Sequence, residues 1–221
     1  MIEVLFEDNH LIAINKQAGD IVQSDKTGDP PLSDFVKAYI KKKYNKPGKV
    51  FLGTIHRLDR PTSGIVLFAK TSKALSRMNQ QFKNKEVHKT YWAIVDNLPN
   101  SSSGILDDYL YKNEKQNKSY ISKRLKGKRA VLKYKLLKKL DRYYHLEIEP
   151  KTGRHHQIRV QLSNIGCIIK GDLKYGAKRP NKDASIHLFA QKINFTHPVT
   201  KQNTTIIAKT PKDNIWDACI K

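Results

Sequence analysis

Gly64-Ile65-Val66-Leu67-Phe68-Ala69 is an uninterrupted apolar run bounded by turn signals. This is the pattern of a central strand, because only a strand covered on both faces tolerates apolar side chains at consecutive positions. Such a run demands neighbouring strands along its edges and other elements over its faces. Apolar runs at 2–6 and 11–15, joined by Glu7-Asp8-Asn9-His10, predict a β-hairpin. The Gly-, Asp- and Pro-rich segment 19–31 predicts a loop. Ser33 then reads as the N-cap of a helix with Phe35, Val36, Tyr39 and Ile40 as its apolar stripe, ending at Lys41-Lys42-Lys43. Those lysines complement the helix dipole and equally suit a face turned toward nucleic acid.

A second helix is predicted from Ser72, with Leu75, Met78 and Phe82 at helical spacing as core, and a strand at 90–95. Residues 97–128 form the least regular stretch, lysine-heavy from Lys112 to Lys128. It reads as a long basic loop, either ordering on a nucleic acid or idle in solvent. Strands follow at 130–140 and 143–149. A loop then leads into a helix within 153–166, with Ile158, Leu162 and Ile165 as its buried row and Gly166 as its C-cap. Strands near 186–195 and 205–209 complete the pattern. No repeat and no sharp break in composition divides residues 1–221, so one α/β domain is expected.

Lysine and arginine number 42 against 20 acidic residues, a formal charge of +22 over 221 residues. Solubility asks for a magnitude of roughly 2–8 in a small domain. The excess favours a nucleic acid over a membrane surface or an acidic protein as partner. Cys167 and Cys219 form no C-x-x-C pair, which implies neither a disulfide framework nor a zinc site and makes a cytoplasmic location the default. The N-terminus lacks the basic and long apolar regions of a signal peptide, and no apolar stretch approaches the ~20 residues of a membrane span.

The loop ahead of the central strand, His56-Arg57-Leu58-Asp59-Arg60-Pro61-Thr62-Ser63, places one carboxylate between two guanidinium groups. A carboxylate at a strand edge in a basic chain is a candidate nucleophile toward a polyanion. A lone Asp in a loop is far more commonly a turn cap. His155 and His156, with His56 and Asp172 elsewhere, raise the question of a metal. Adjacent helical histidines point about 100° apart and do not readily share an ion, so no metal is expected. No glycine-rich phosphate loop or dinucleotide fingerprint is present, and no cofactor is implied.

His56-Arg57-Leu58-Asp59-Arg60-Pro61-Thr62-Ser63-Gly64 resembles the signature of the RluA-type pseudouridine synthases. Further segments resemble that family in the same order along nearly the whole chain. They are Asn15-Lys16-Gln17-Ala18-Gly19, with Gln17 where a proline is usual; Lys89-Thr90-Tyr91-Trp92-Ala93-Ile94-Val95; Gly153-Arg154-His155-His156-Gln157-Ile158-Arg159; Gly171-Asp172-Leu173-Lys174-Tyr175-Gly176; and Ile186-His187-Leu188-Phe189-Ala190 with Phe195-Thr196-His197-Pro198.

The resemblance implies the α/β pseudouridine synthase catalytic fold, a mixed and largely antiparallel sheet with flanking helices and a central active-site cleft. Some relatives carry an N-terminal S4-type module, but this chain begins almost directly in the catalytic part. The implied activity is base flipping of a uridine in structured RNA, breakage of its base–ribose bond and rejoining through carbon. Asp59 takes the position of the essential aspartate, Tyr91 that of the active-site tyrosine and Arg159 that of the arginine expected to pair with the aspartate. By pattern alone Tyr91 is a half-buried strand aromatic, with Trp92 on the opposite face as core. His56, Arg57, Arg60 and Arg154 are implied substrate contacts. Leu188 matches a position under the target base and reads equally as core. The implied partner of a monomeric enzyme is RNA, with large-subunit ribosomal RNA favoured over transfer RNA. A non-catalytic RNA-binding or ribosome-assembly factor on this fold would not need Asp59, Tyr91 and Arg159 together. A metal-dependent nuclease would lose activity on chelation.

Overall fold

The structure, a computed structural model, describes residues 2–24, 28–122 and 127–220. Its elements begin β1 (Val4–Glu7), β2 (Leu11–Lys16), α1 (Leu32–Lys43), β3 (Gly53–Thr54), β4 (Ser63–Ala69), α2 (Ser72–Lys83) and β5 (His88–Val95). They continue with β6 (Ser103–Asn113), β7 (Lys118–Ile121), β8 (Lys128–Lys139), β9 (Tyr144–Pro150) and α3 (Gln157–Asn164). A single 3-10 turn (Leu173–Tyr175) precedes β10 (Leu188–Thr196), β11 (Asn203–Ile207) and α4 (Asn214–Ile220). The chain forms two compact units, Met1–His88 with Ala190–Lys209, and Lys89–Phe189 with Thr210–Lys221.

In the first unit, β1 and β2 form the expected hairpin. Asp8 closes its turn by accepting the His10 and Leu11 N–H groups, both at 2.7 Å. β2 runs antiparallel to β4, from Leu11 opposite Ala69 to Lys16 opposite Gly64. All seven residues of β4 are buried, as its unbroken apolar run requires. Ile12, Ile14, Val66 and Phe68 share one face and pack with Leu32, Val36 and Ile40 of α1. Leu11, Ala13, Ile65 and Leu67, on the other face, are equally buried, and α2 contacts β4. Cutting one such core side chain back to alanine costs roughly 2–5 kcal/mol. β10 lies beside β4 and pairs antiparallel with β11.

Helix α1 departs from its sequence expectation in two ways. It starts at Leu32 behind Pro31, and Ser33 lies buried inside it without capping. A cap is unnecessary because the Leu32 and Ser33 N–H groups donate to the carbonyls of Ile21 and Val22, at 2.7 and 3.3 Å. The buried row is therefore Leu32, Val36 and Ile40, and Phe35 is 53% exposed. Near the helix C-terminus, Glu7 accepts from Tyr39, Lys43, Tyr44 and Lys70 at 2.6–3.0 Å. Burial alone would raise the Glu7 pKa, but these donors outweigh it and hold the group down to about 2. Within the basic run Lys43 thus has a structural task.

The second unit has strand order β5-β9-β8-β6-β7, each neighbouring pair antiparallel. Its core combines Ala93, Val95, Leu132, Leu146 and Ile148 from the strands with Ile158 and Leu162 of α3. The Gly166 expectation holds. With φ of +78° it follows α3 in the left-handed region, and the Cys167 N–H donates back to the Leu162 carbonyl at 3.0 Å. Much of the segment expected to be an irregular loop is instead β6 and β7, paired over residues 110–113 and 118–121. Residues 123–126 of that segment lie outside the described ones. The loop reading failed because β6 is covered on one side only. Its buried positions are few, and Ile105 and Tyr111 stand exposed, which blurs the alternation that marks a strand.

Candidate active site

Asp59 opens a tight turn in the first unit, its carbonyl accepting the Thr62 N–H at 3.0 Å. The turn is held from beneath by Lys16 at the end of β2, a side chain with 0% exposure. Lys16 Nζ donates to the carbonyls of Gln17, Arg60 and Thr62 at 2.9, 3.1 and 2.7 Å. The Arg60 carbonyl also accepts the Gly19 N–H at 2.9 Å, so the first motif and the Asp59 loop are tied together. Burial lowers the Lys16 pKa to about 8, although the charges of Asp20 and Asp59 oppose that shift. Gly64, which follows the loop, has φ of +114°, and a Cβ there would lie 2.4 Å from the Ala190 carbonyl oxygen. Only glycine permits this backbone and this approach of β10.

The other motif side chains of the first unit divide by task. His56 Nε2 accepts the Leu67 N–H at 3.2 Å, and its ring stacks on Phe82 with centroids 5.4 Å apart. It therefore anchors the loop to β4 and α2. Arg57 is exposed. Arg60 forms a 2.8 Å ion pair with Asp29, both half-exposed, an arrangement that contributes little to stability.

Tyr91, Arg159, Arg154 and Leu188 belong to the second unit. Tyr91 is half-buried on β5, opposite Ile148 of β9. Trp92, on the reverse face, sets its ring edge-on to the buried His145, 4.9 Å between centroids. Leu188 packs in the unit's core cluster. Arg154 is exposed, and its Nε donates to the Arg129 carbonyl at 2.9 Å.

Arg159 on α3 is 5% exposed and grips Asp172, itself 1% exposed, through two hydrogen bonds of 2.7 and 2.8 Å. This bidentate pairing fixes the guanidinium plane. The Tyr175 ring lies across that plane, its centroid 5.1 Å from Arg159 Cζ. The paired histidines are not on the helix, as the sequence reading assumed. They precede it, with His156 at φ of +52°, and their rings stack 3.8 Å apart. His155 Nδ1 meets Ser119 Oγ at 2.9 Å and His156 Nδ1 meets the Tyr175 hydroxyl at 3.0 Å. Among the described residues no group of three or more His, Cys, Asp or Glu side chains is arranged to hold a metal ion.

Sequence reasoning placed Lys16, Asp172 and Tyr175 inside motifs without giving them tasks in the site. Lys16 carried a signal, as a charged residue closing the apolar run from Leu11 to Ile14. Asp172 and Tyr175 lie further along the chain from Arg159, beyond α3, and only the fold brings them to it.

The chain matches the family model described as RNA pseudouridylate synthase over residues 10–164. It is 32% identical over 226 residues to the ribosomal large subunit pseudouridine synthase C of Buchnera aphidicola subsp. Baizongia pistaciae, covering 99% of this chain and 69% of that protein. It is 32% identical over 236 residues to the tRNA pseudouridine synthase C of Vibrio vulnificus, covering 98% of this chain and 93% of that one. Its fold is similar to that of human RNA pseudouridylate synthase domain containing 4. The TM-score is 0.80, at 24% identity, over 99% of this chain and 91% of the other. The chain belongs to the RNA pseudouridylate synthase family. It is an isomerase that acts on RNA. No helix among the described residues is long and apolar enough to cross a membrane.

Proposed function

We propose that this chain isomerises a specific uridine of large-subunit ribosomal RNA, acting as a monomer in the cytoplasm, with Asp59 as the residue on which the chemistry depends. The observation that carries this reading is the Asp59 turn, whose carbonyls at Arg60 and Thr62 are held by the fully buried Lys16. A carboxylate on so constrained a turn is pre-positioned for attack or proton abstraction, and each route requires it beside the glycosidic carbon. In the reaction the N1–C1′ bond of the uridine breaks, the base turns, and a C5–C1′ bond forms. The proton lost from C5 is balanced by one gained at N1. Tyr91 offers a ring face to stack on the extruded base and a phenol to move that proton. Arg159, held by Asp172 and Tyr175, is the arginine that the resemblance assigns to the site.

Arg57 and Arg154 are exposed and suit phosphate contacts. With Arg60 and the wider +22 surface they offset the few kcal/mol that unstacking a base costs. Large-subunit ribosomal RNA is supported by relatives that bear that name. Transfer RNA is the second reading, favoured by relatives of equal identity named for it. Asp59→Asn abolishes pseudouridine formation and leaves RNA affinity unchanged. Normal turnover by that variant would sink the mechanism. Pseudouridine mapping at single-nucleotide resolution, in RNA from cells with and without the gene, separates the two substrates.

A further inference from the structure

The hairpin of β6 and β7 has features the catalytic reading leaves unused. Tyr111 and Tyr120 face each other across it, rings stacked at 5.6 Å and 24°, with Tyr111 48% exposed. Lys118 Nζ lies 5.3 Å from the Tyr120 ring centroid, and Lys112 and Lys115 belong to the same hairpin. An exposed aromatic pair among lysines matches an unpaired stretch of RNA, whose bases stack while its phosphates meet the cations.

β7 is the outer strand of its unit, so its outward N–H and C=O groups need partners beyond the sheet. At Ser119, which is buried, one side chain meets both. The Ser119 N–H donates to the Tyr175 hydroxyl at 2.9 Å, and that hydroxyl donates to the Ser119 carbonyl at 3.2 Å. The ring bearing the hydroxyl is the one under Arg159. The 3-10 turn bearing the ring also follows Asp172, whose carbonyl accepts the Tyr175 N–H at 3.0 Å. A displacement of β7 is therefore passed through one phenol to two partners of the Arg159 guanidinium, Tyr175 and Asp172.

We propose that Tyr175 is a positioning residue that couples docking of unpaired RNA on the Tyr111–Tyr120 hairpin to the placement of Arg159. The proposal rests on the reading of Arg159 as a site residue. RNA that seats the hairpin keeps β7 and the Tyr175 phenol in place under the guanidinium, and RNA that displaces β7 disturbs that placement.

Tyr175→Phe removes the hydroxyl and keeps the ring. On unmodified RNA from cells lacking the gene, it lowers kcat roughly three- to tenfold, the effect of a lost hydrogen bond. Tyr111→Ser mainly raises KM. In the double variant the two losses fall short of multiplying, as coupled positions do. Full multiplication, or an unchanged kcat in Tyr175→Phe, overturns the proposal. The Arg159 Nε–H resonance gives a readout that does not depend on turnover. Adding a short oligouridine shifts it in the unaltered protein, and Tyr175→Phe abolishes the response. No shift in the unaltered protein overturns the coupling even if the variant fails to fold. Activity surviving in Asp59→Asn would count against the catalytic reading and leave this resonance test intact.

Discussion

A lysine with no exposed surface must direct its protons into the protein around it, and the partners it finds show what it is for. Lys16 finds three backbone carbonyls, two of them in the turn that Asp59 opens. Lys16→Met leaves those carbonyls without their donor, and misplacing the turn by an ångström lowers kcat roughly 100-fold. The same group predicts an alkaline limit. Above a pKa of about 8 the amine keeps two protons for three carbonyls, so kcat/KM declines as pH rises through 8, and Lys16→Met lacks that limb. Stability moves the other way. Between about 8 and the ordinary 10.5 the unfolded chain holds the proton that the folded one has released, so raising pH there relieves the burial cost. Titrating activity and melting temperature together checks both signs. Asp59 stands out in the sequence because its charged neighbours and motif are contiguous. The role of Lys16 does not, because its partners lie at residues 60 and 62, far along the chain and on backbone atoms that side-chain patterns do not encode.

At the level of elements, β4 was readable because complete burial writes an unbroken apolar run. Its entry is set by Gly64. Gly64→Ala introduces a Cβ against the Ala190 carbonyl at a left-handed φ, costing at least ~1–3 kcal/mol. In a chain of this size each kcal/mol lowers the melting temperature by about 2–4 °C, which calorimetry resolves. Elements whose ends depend on distant backbone were read less well. Ser33 looked like a cap because capping is a local signal, whereas the donors of α1 are satisfied by residues 21 and 22 across a loop. β6 and β7 were missed for a related reason. A strand wet on one side spends its exposed positions on lysine and tyrosine, which read as loop until the opposite strand is known.

At the scale of the molecule, the +22 charge makes RNA affinity strongly salt-dependent. Each phosphate contact adds roughly 0.7–0.9 to the slope of log K against log salt. Arg57→Ala and Arg154→Ala each reduce that slope by about one contact in binding titrations. His145 contributes to the loss of stability on the acid side. Burial, with a smaller contribution from Lys138, lowers its pKa from 6.5 to about 4. As pH falls from 6.5 to 4 the unfolded chain takes up a proton that the folded one refuses, so the melting temperature drops over that window. His145→Phe flattens the drop.

The division into units has a consequence for inheritance. The chain passes between them three times, after His88, Phe189 and Lys209. Residues 1–88 alone lack the β10 and β11 residues that belong to their unit, and residues 89–189 lack α4 with its buried Trp216. No single junction in the gene separates one unit from the other. Recombination at one breakpoint cannot exchange the Asp59 half for another while keeping the Tyr91 and Arg159 half whole, so the two halves are passed on together.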